Sequence, residues 1–194
     1  TFEGTEGGGK TTQIQLLAAR LRQVGRSVRL LREPGGTPIG EEIRHTLKHS
    51  AQNHAMTAEA ELLLMNASRA QLVREVIRPA LAAGEVVLCD RFYDSTLAYQ
   101  GFGGGVDVDW IRELGREVTR GIRPRLSLYL DLPVKVGLKR AMSRKKADRM
   151  ERKNILFHEK VRRGFLWIVK NEPKRFKRIA LSEKHPAEAV FEKI

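Results

Sequence analysis

Cysteine is nearly missing from this chain: Cys89 is the only one among 194 residues. One thiol cannot build a disulfide framework, so a reducing compartment is expected, and the localisation is read as cytoplasmic. No apolar run approaches the roughly 18 residues that a membrane span needs, so no membrane partner is expected. Proline is scarce, at seven, while apolar residues make up 41%. That balance excludes a disordered or low-complexity chain. No internal repeat and no linker composition interrupts the sequence, so residues 1–194 are expected to form one domain around one core. The first residue is Thr1, inside what reads as a strand, so the lack of a leader segment carries no weight.

Basic residues are in excess, 36 Lys and Arg against 23 Asp and Glu, for a formal net charge of +13. A phosphorylated small substrate would account for a local basic site but not for the whole surplus. Nucleic-acid binding and a solvated basic face are the other two explanations. Against nucleic acid stands the low aromatic content, 6%, with no aromatic-rich basic strand on which bases would stack.

Strands and helices alternate along the chain. Thr1-Phe2-Glu3 ends a strand, and Gly4 to Gly9 is a glycine-rich turn. Ile14, Leu17, Leu21 and Val24 then fall on one helical face that Gly25 closes. Val28 to Leu31 reads as a strand, Ile39 to His49 as a short helix, and Ala58 to Ala83 as one long helix with Pro79 as a kink. Val86 to Cys89 is a continuous apolar run and Leu126 to Leu130 reads as another buried strand, each followed by an aspartate, which suits strands covered on both faces. Gly101 to Gly105 is expected as a flexible loop, followed by a helix over Asp109 to Thr119. A helix over Asn154 to Lys170, a last strand over Arg178 to Leu181 and a terminal helix from Pro186 complete the pattern. The expected fold is α/β: a parallel five-stranded sheet with helices on both faces.

Gly4-Thr5-Glu6-Gly7-Gly8-Gly9-Lys10-Thr11 matches G-x-x-x-x-G-K-S/T at every fixed position, between a strand and an amphipathic helix. This is the P-loop: backbone N–H groups wrap phosphates, and the helix beginning near Thr11, with Thr12 beside it, adds the positive end of its dipole. Lys10 would reach the β- and γ-phosphates of ATP, and Thr11 would help hold Mg²⁺. Asp90-Arg91 ends the second buried strand. In a doubly wound sheet it should face the P-loop, Asp90 toward Mg²⁺ or its waters and Arg91 toward a phosphate. A structural ion pair at a strand end is the plainer alternative for these two.

With these residues in view the chain resembles the thymidylate kinases, P-loop NTPases that phosphorylate dTMP with Mg-ATP in dTTP synthesis. The resemblance runs through the P-loop with its Glu6, then Arg32-Glu33-Pro34-Gly35-Gly36-Thr37, and Ser68-Arg69-Ala70-Gln71 on the long helix. It continues through Asp90-Arg91-Phe92 with Ser95-Thr96, and Ala98-Tyr99-Gln100-Gly101. It implies that Glu6 lies near the sugar 3′-hydroxyl of the monophosphate, that Arg32 and Arg91 surround the acceptor phosphate, and that Arg69 reads the thymine edge. Thr96 and Gln100 are implied beside the base, and Tyr99 against the sugar 2′ position, where its ring would crowd out a ribose hydroxyl. A surface arginine for Arg69 and a core aromatic for Tyr99 are the structural alternatives.

The four variable P-loop positions, Thr5 to Gly8, hold no arginine, so the catalytic arginine is expected from a lid at about 139–153, as in the bacterial type. Arg144 or Arg149 is expected to close over the phosphates. Three stretches depart from the family pattern. Met65 and Asn66 stand where many members place an aromatic on the thymine, no arginine follows Gln100-Gly101, and Pro124-Arg125 replaces Pro-Asp. A kinase for another deoxynucleotide, such as dUMP, is the alternative that Met65 and Asn66 motivate. A nucleic-acid-binding P-loop ATPase is the alternative that the charge motivates. The resemblance and the apolar surplus of the long helix lead to the expectation of a homodimer.

Overall fold

The computed structural model describes residues 1–143 and 148–194. Five short segments form one sheet of parallel strands: β1 (Phe2–Glu3), β2 (Val28–Arg32), β3 (Val86–Asp90), β4 (Ser127–Asp131) and β5 (Phe176–Ala180). Their order is β2-β3-β1-β4-β5. From the central β1 the chain winds first to β3 and β2 on one side and then to β4 and β5 on the other. The crevice at such a switch point, beyond the carboxyl ends of the strands, is where ligands of open α/β sheets bind. Register puts the ends of three strands level there, with Phe2 beside Asp90 and Asp90 beside Arg32.

Alternation along the strands feeds a core on each face. Phe2, Leu88, Leu128, Leu130 and Ile179 pack with Ile14 and Ala18 of α1 (Lys10–Gln23) and Val190 of α9 (Ala187–Phe191). Tyr129 and Phe176 point the other way, onto Val161, Phe165 and Ile168 of α8 (Ile155–Asn171). Ile111 of α6 (Val108–Thr119) and Leu62 of α3 (Ala58–Leu72) belong to the same cluster. Side-chain caps fix several helix starts: Thr37 accepts from Gly40 N before α2 (Pro38–Lys48), Thr57 from Ala60 N before α3, and Asn154 from Phe157 N before α8.

Three expectations about elements are revised. The long helix does not run unbroken to a kink at Pro79. A wider π-helical stretch over Val73–Ile77 follows α3, and α4 (Arg78–Ala82) restarts with Pro79 in its first turn, where the missing N–H costs nothing. The glycine-rich segment after Gln100 is not a loop over its first half. The short helix α5 (Tyr93–Thr96) continues as a π-helical stretch to Gly103, and its glycine admits the neighbouring helix: a Cβ on Gly103 would lie 2.7 Å from the Phe157 ring. Finally, part of the expected lid is regular helix, since residues 139–142 belong to α7 (Val134–Met142). Residues 148–151 form a turn, and Arg144 lies outside the described residues.

Candidate active site

The P-loop is shaped by contacts that only glycine allows. Gly7 has φ +68°, and a Cβ there would collide with the carbonyl of Gly137 on α7. Gly9, at φ +83°, turns the chain into α1 so that the first N–H groups of the helix face the loop. Lys10 is buried and donates to Gly4 O at 3.1 Å and Thr5 O at 2.9 Å. Burial, with the Arg91 cation nearby, pulls its ammonium group down to about 8. Thr11 Oγ1 donates to Asp90 Oδ2 at 2.9 Å. A hydroxyl and a carboxylate in contact beside a phosphate loop suit a hard divalent cation. Among the described residues no group of three or more His, Cys, Asp or Glu could hold a metal ion. Such a cation would therefore take most of its ligands from nucleotide phosphates and water.

Arg91 follows β3 with φ +71°, a left-handed conformation that is costly for a side chain of this size. The fold repays it with a full set of partners. Nη1 donates to Gly4 O at 2.8 Å and Ser95 Oγ at 3.1 Å, and Nη2 donates to both oxygens of Glu6 at 3.0 and 3.1 Å. Tyr99 OH donates to Glu6 Oε1 at 2.7 Å, and the Arg91 guanidinium stands 4.9 Å from the centre of the Tyr99 ring. Burial pushes the Glu6 carboxyl up, but the Arg91, Lys10 and Lys48 cations and the Tyr99 hydroxyl outweigh it and hold it far below the usual carboxylate range. Behind this cluster Glu3, fully buried, accepts from Phe92 N at 2.8 Å and Ser95 Oγ at 2.5 Å. Burial, with Asp94 close by, pushes its carboxyl up to about 8.

Around the P-loop opens a cavity of about 600 Å³, bordered by Lys10, Thr11, Arg32, Arg44, Asp90 and Arg91 among others. It shares Glu6, Glu33, Lys48 and Arg91 with a narrower one of about 40 Å³. Met65, Arg69, Thr96, Tyr99, Gln100 and Met150 are among the residues of the narrower wall. Arg69 is buried and fixed: Nε and Nη2 donate to Glu33 Oε2 at 2.8 and 2.6 Å, Nη2 to Thr96 Oγ1 at 2.9 Å, and Nη1 to Asn66 Oδ1 at 3.2 Å. The other Glu33 oxygen, Oε1, is buried without a partner among the described residues. Ser68 Oγ accepts from Gly35 N at 3.0 Å and so ties α3 to the loop after β2.

The sequence model of the family described as thymidylate kinase matches residues 2–194. The chain belongs to the thymidylate kinase family. It is 52% identical over 182 residues to a thymidylate kinase of Geotalea uraniireducens (strain Rf4), an alignment covering 91% of this chain and 85% of that protein. It is 51% identical over 176 residues to one of Deinococcus radiodurans, covering 91% and 84%. The crystal structure of thymidylate kinase from Ehrlichia chaffeensis superposes with a TM-score of 0.79 at 34% identity, covering 99% of this chain and 92% of that one.

Residues expected from four separate stretches thus meet in one crevice. Lys10, Thr11, Asp90 and Arg91 line the wider cavity with Gly7, Gly8, Gly9 and Thr12, while Met65, Arg69, Thr96, Tyr99 and Gln100 line the narrower one. Arg32 borders the wider cavity but is largely exposed and donates to Glu41 Oε2 at 2.9 Å. Arg149 is held by residues of α3 and of the 53–56 segment. Its guanidinium is buried against Glu61 and the carbonyls of Asn53 and Met56, while Glu151 of the same turn borders the wider cavity. Sequence reasoning passed over Arg44, Lys48, Glu61, Gly137 and Met150, none of which stands in a motif. Only the Leu-rich pattern of α3, broken by Glu61 beside the apolar positions, carried a signal for one of them.

Proposed function

We propose that this chain transfers the γ-phosphoryl group of ATP to dTMP, giving dTDP and ADP. An oxygen of the dTMP phosphate attacks the γ-phosphorus, the bond to the β–γ bridging oxygen breaks, and ADP leaves with that oxygen. The observation that carries the reading is the convergence of Glu6, Arg91 and Tyr99 between a phosphate cavity and the Arg69–Thr96 pair. That arrangement offers a phosphate, a sugar and a base three different kinds of contact in the right order.

The acceptor is already anionic, so the site works by positioning and charge. Arg91, held by Glu6, Ser95 and Gly4, presents a fixed cation to the acceptor phosphate, and Arg32 exchanges Glu41 for it. Lys10 leaves the carbonyls of Gly4 and Thr5 for the β- and γ-phosphates. Mg²⁺, held by Thr11 with Asp90, would neutralise charge on the β- and γ-oxygens. Glu6 takes the 3′-hydroxyl, Tyr99 crowds the 2′ carbon, and Arg69 with Thr96 faces the base. A nucleoside pushes Met65 and Met150 aside, a cheap movement for unbranched thioethers. Arg144 or Arg149 is the arginine we assign to the transition state from the lid, and Arg149 would first have to give up Glu61. We further infer a homodimer and a cytoplasmic location, and read residues 1–194 as one domain. Leu63 on α3 and Trp110 on the neighbouring α6 leave large apolar surfaces exposed, and Cys89 is a free buried thiol.

The test is coupled ADP release with Mg-ATP, offering dTMP, dUMP, ribothymidine monophosphate, dGMP and dCMP in parallel. Turnover is expected to be strongest on dTMP, weaker on dUMP and at least about tenfold lower on the ribose form. Absence of any acceptor-dependent turnover overturns the reading.

A further inference from the structure

Glu61 stands one helical turn before Met65, inside α3, and is buried to within 6% of its surface. Both its oxygens are used, and by different parts of the chain. Oε1 accepts from Gln100 Nε2 at 2.5 Å, and Oε2 pairs with Arg149. Gln100 belongs to the wall of the narrower cavity. Arg149 belongs to the turn at 148–151, whose Met150 forms part of the same wall and of the core beneath it. One carboxylate therefore joins two walls of the nucleotide pocket that lie 39 and 88 residues away from it in sequence.

The turn is built to be held this way. Asp148 Oδ1 accepts from the N–H groups of Met150 and Glu151 at 2.9 and 3.0 Å, and Asp148 Oδ2 accepts from Lys48 Nζ at 2.9 Å. Arg149 Nε donates to Asn53 O at 2.9 Å, and Asn53 Nδ2 in turn donates to Thr46 O and Leu47 O at 3.1 Å each. Lys48 fixes the turn from α2, Glu61 fixes it from α3, and Met150 between them lines the narrower cavity. A buried guanidinium that loses its carboxylate is costly to keep in place, so the turn that carries Arg149 and Met150 is expected to shift.

We propose that Glu61 is a positioning residue for the acceptor nucleotide, acting through Gln100 and, by way of Arg149, through Met150. The inference rests on the kinase reading given above. It assigns Arg149 to pocket assembly, in place of the transition-state contact expected of a lid arginine.

The experiment measures kcat and KM for both substrates, with thermal unfolding, in the unmodified chain, Glu61→Gln, Arg149→Met and the double variant Glu61→Met with Arg149→Met. The double variant removes both buried charges and so remains foldable if a single one does not. The KM for dTMP is expected to rise about tenfold or more in all three, with kcat lowered less than about threefold and the KM for ATP within about twofold. The double variant should show at least the rise of Arg149→Met alone, since it also removes the carboxylate that holds Gln100. A kcat loss of about a hundredfold in the Arg149 variants with dTMP KM unchanged would mark Arg149 as catalytic and overturn the inference. Lower thermal stability with every KM unchanged, or a fall in the dTMP KM, overturns it equally. If the unmodified chain itself fails to turn over dTMP, the functional reading falls and takes this inference with it. Turnover in the unmodified chain with unaltered variants sinks the inference alone.

Discussion

Lys10 is charged in water at neutral pH with a wide margin, and the fold narrows that margin by burying it. In the ligand-free protein its ammonium group is pulled from 10.5 down to about 8. The charged form is the one that binds phosphate, so it is present below about 8 and lost as pH rises through it. The value of kcat/KM for ATP, which reports the free enzyme, is therefore expected to fall above about pH 8. With phosphates bound the charged form is favoured, so kcat should hold to a higher pH. A pH profile in which both parameters fall together would contradict this. The same logic explains which residues were legible. Lys10, Thr11, Asp90 and Arg91 stand in short motifs whose chemistry requires those residue types in that order. Glu61 and Lys48 stand in no motif: they matter because α3 and α2 bring them to residues about forty to a hundred positions away.

At the scale of the element, glycine was the ambiguous letter. Gly25 and Gly84 end helices with positive φ and have open space around them, as a helix stop should. Gly103 and Gly164 instead let two helical segments approach. A Cβ on Gly164 would lie 2.9 Å from the Phe102 ring and 3.0 Å from Ala98 Cα. Gly164→Ala is expected to cost about 1–3 kcal/mol by overpacking. Chemical denaturation would show it as a lower midpoint with an unchanged slope, and an unchanged midpoint would refute the tight contact. Sequence pattern cannot separate a glycine that frees the chain from one that admits a neighbour, which is why the stretch after Gln100 reads as a loop. Strands were legible for the opposite reason. Val86 to Cys89 and Leu126 to Leu130 are apolar at every or nearly every position, and only a strand covered on both faces requires that. Helix α7 escaped notice because its last turn is basic and merges with the lid composition.

Among the described residues the charge surplus does not come from the lining of the phosphate cavity. Five cations, Lys10, Arg32, Arg44, Lys48 and Arg91, border the phosphate cavity together with four carboxylates, Glu6, Glu33, Asp90 and Glu151. That near balance leaves the net +13 of the sequence to residues that do not line this cavity. Apolar exposure has a clearer consequence. Leu63 and Trp110 lie on helices that pack against each other, and burying them between two copies would complete a face that one copy leaves open. Light scattering at micromolar concentration should give roughly 44 kDa, twice the 22.0 kDa of the chain. A mass of one chain would contradict the dimer.

The measurement closest to the centre of this account follows the phosphoryl group itself. The chain is mixed with ATP labelled at the γ-phosphorus, Mg²⁺ and dTMP, and the products are separated. The account predicts label in dTDP, formed only when both nucleotides are present. Label released as inorganic phosphate, at a rate indifferent to dTMP, would make this an ATPase and contradict it.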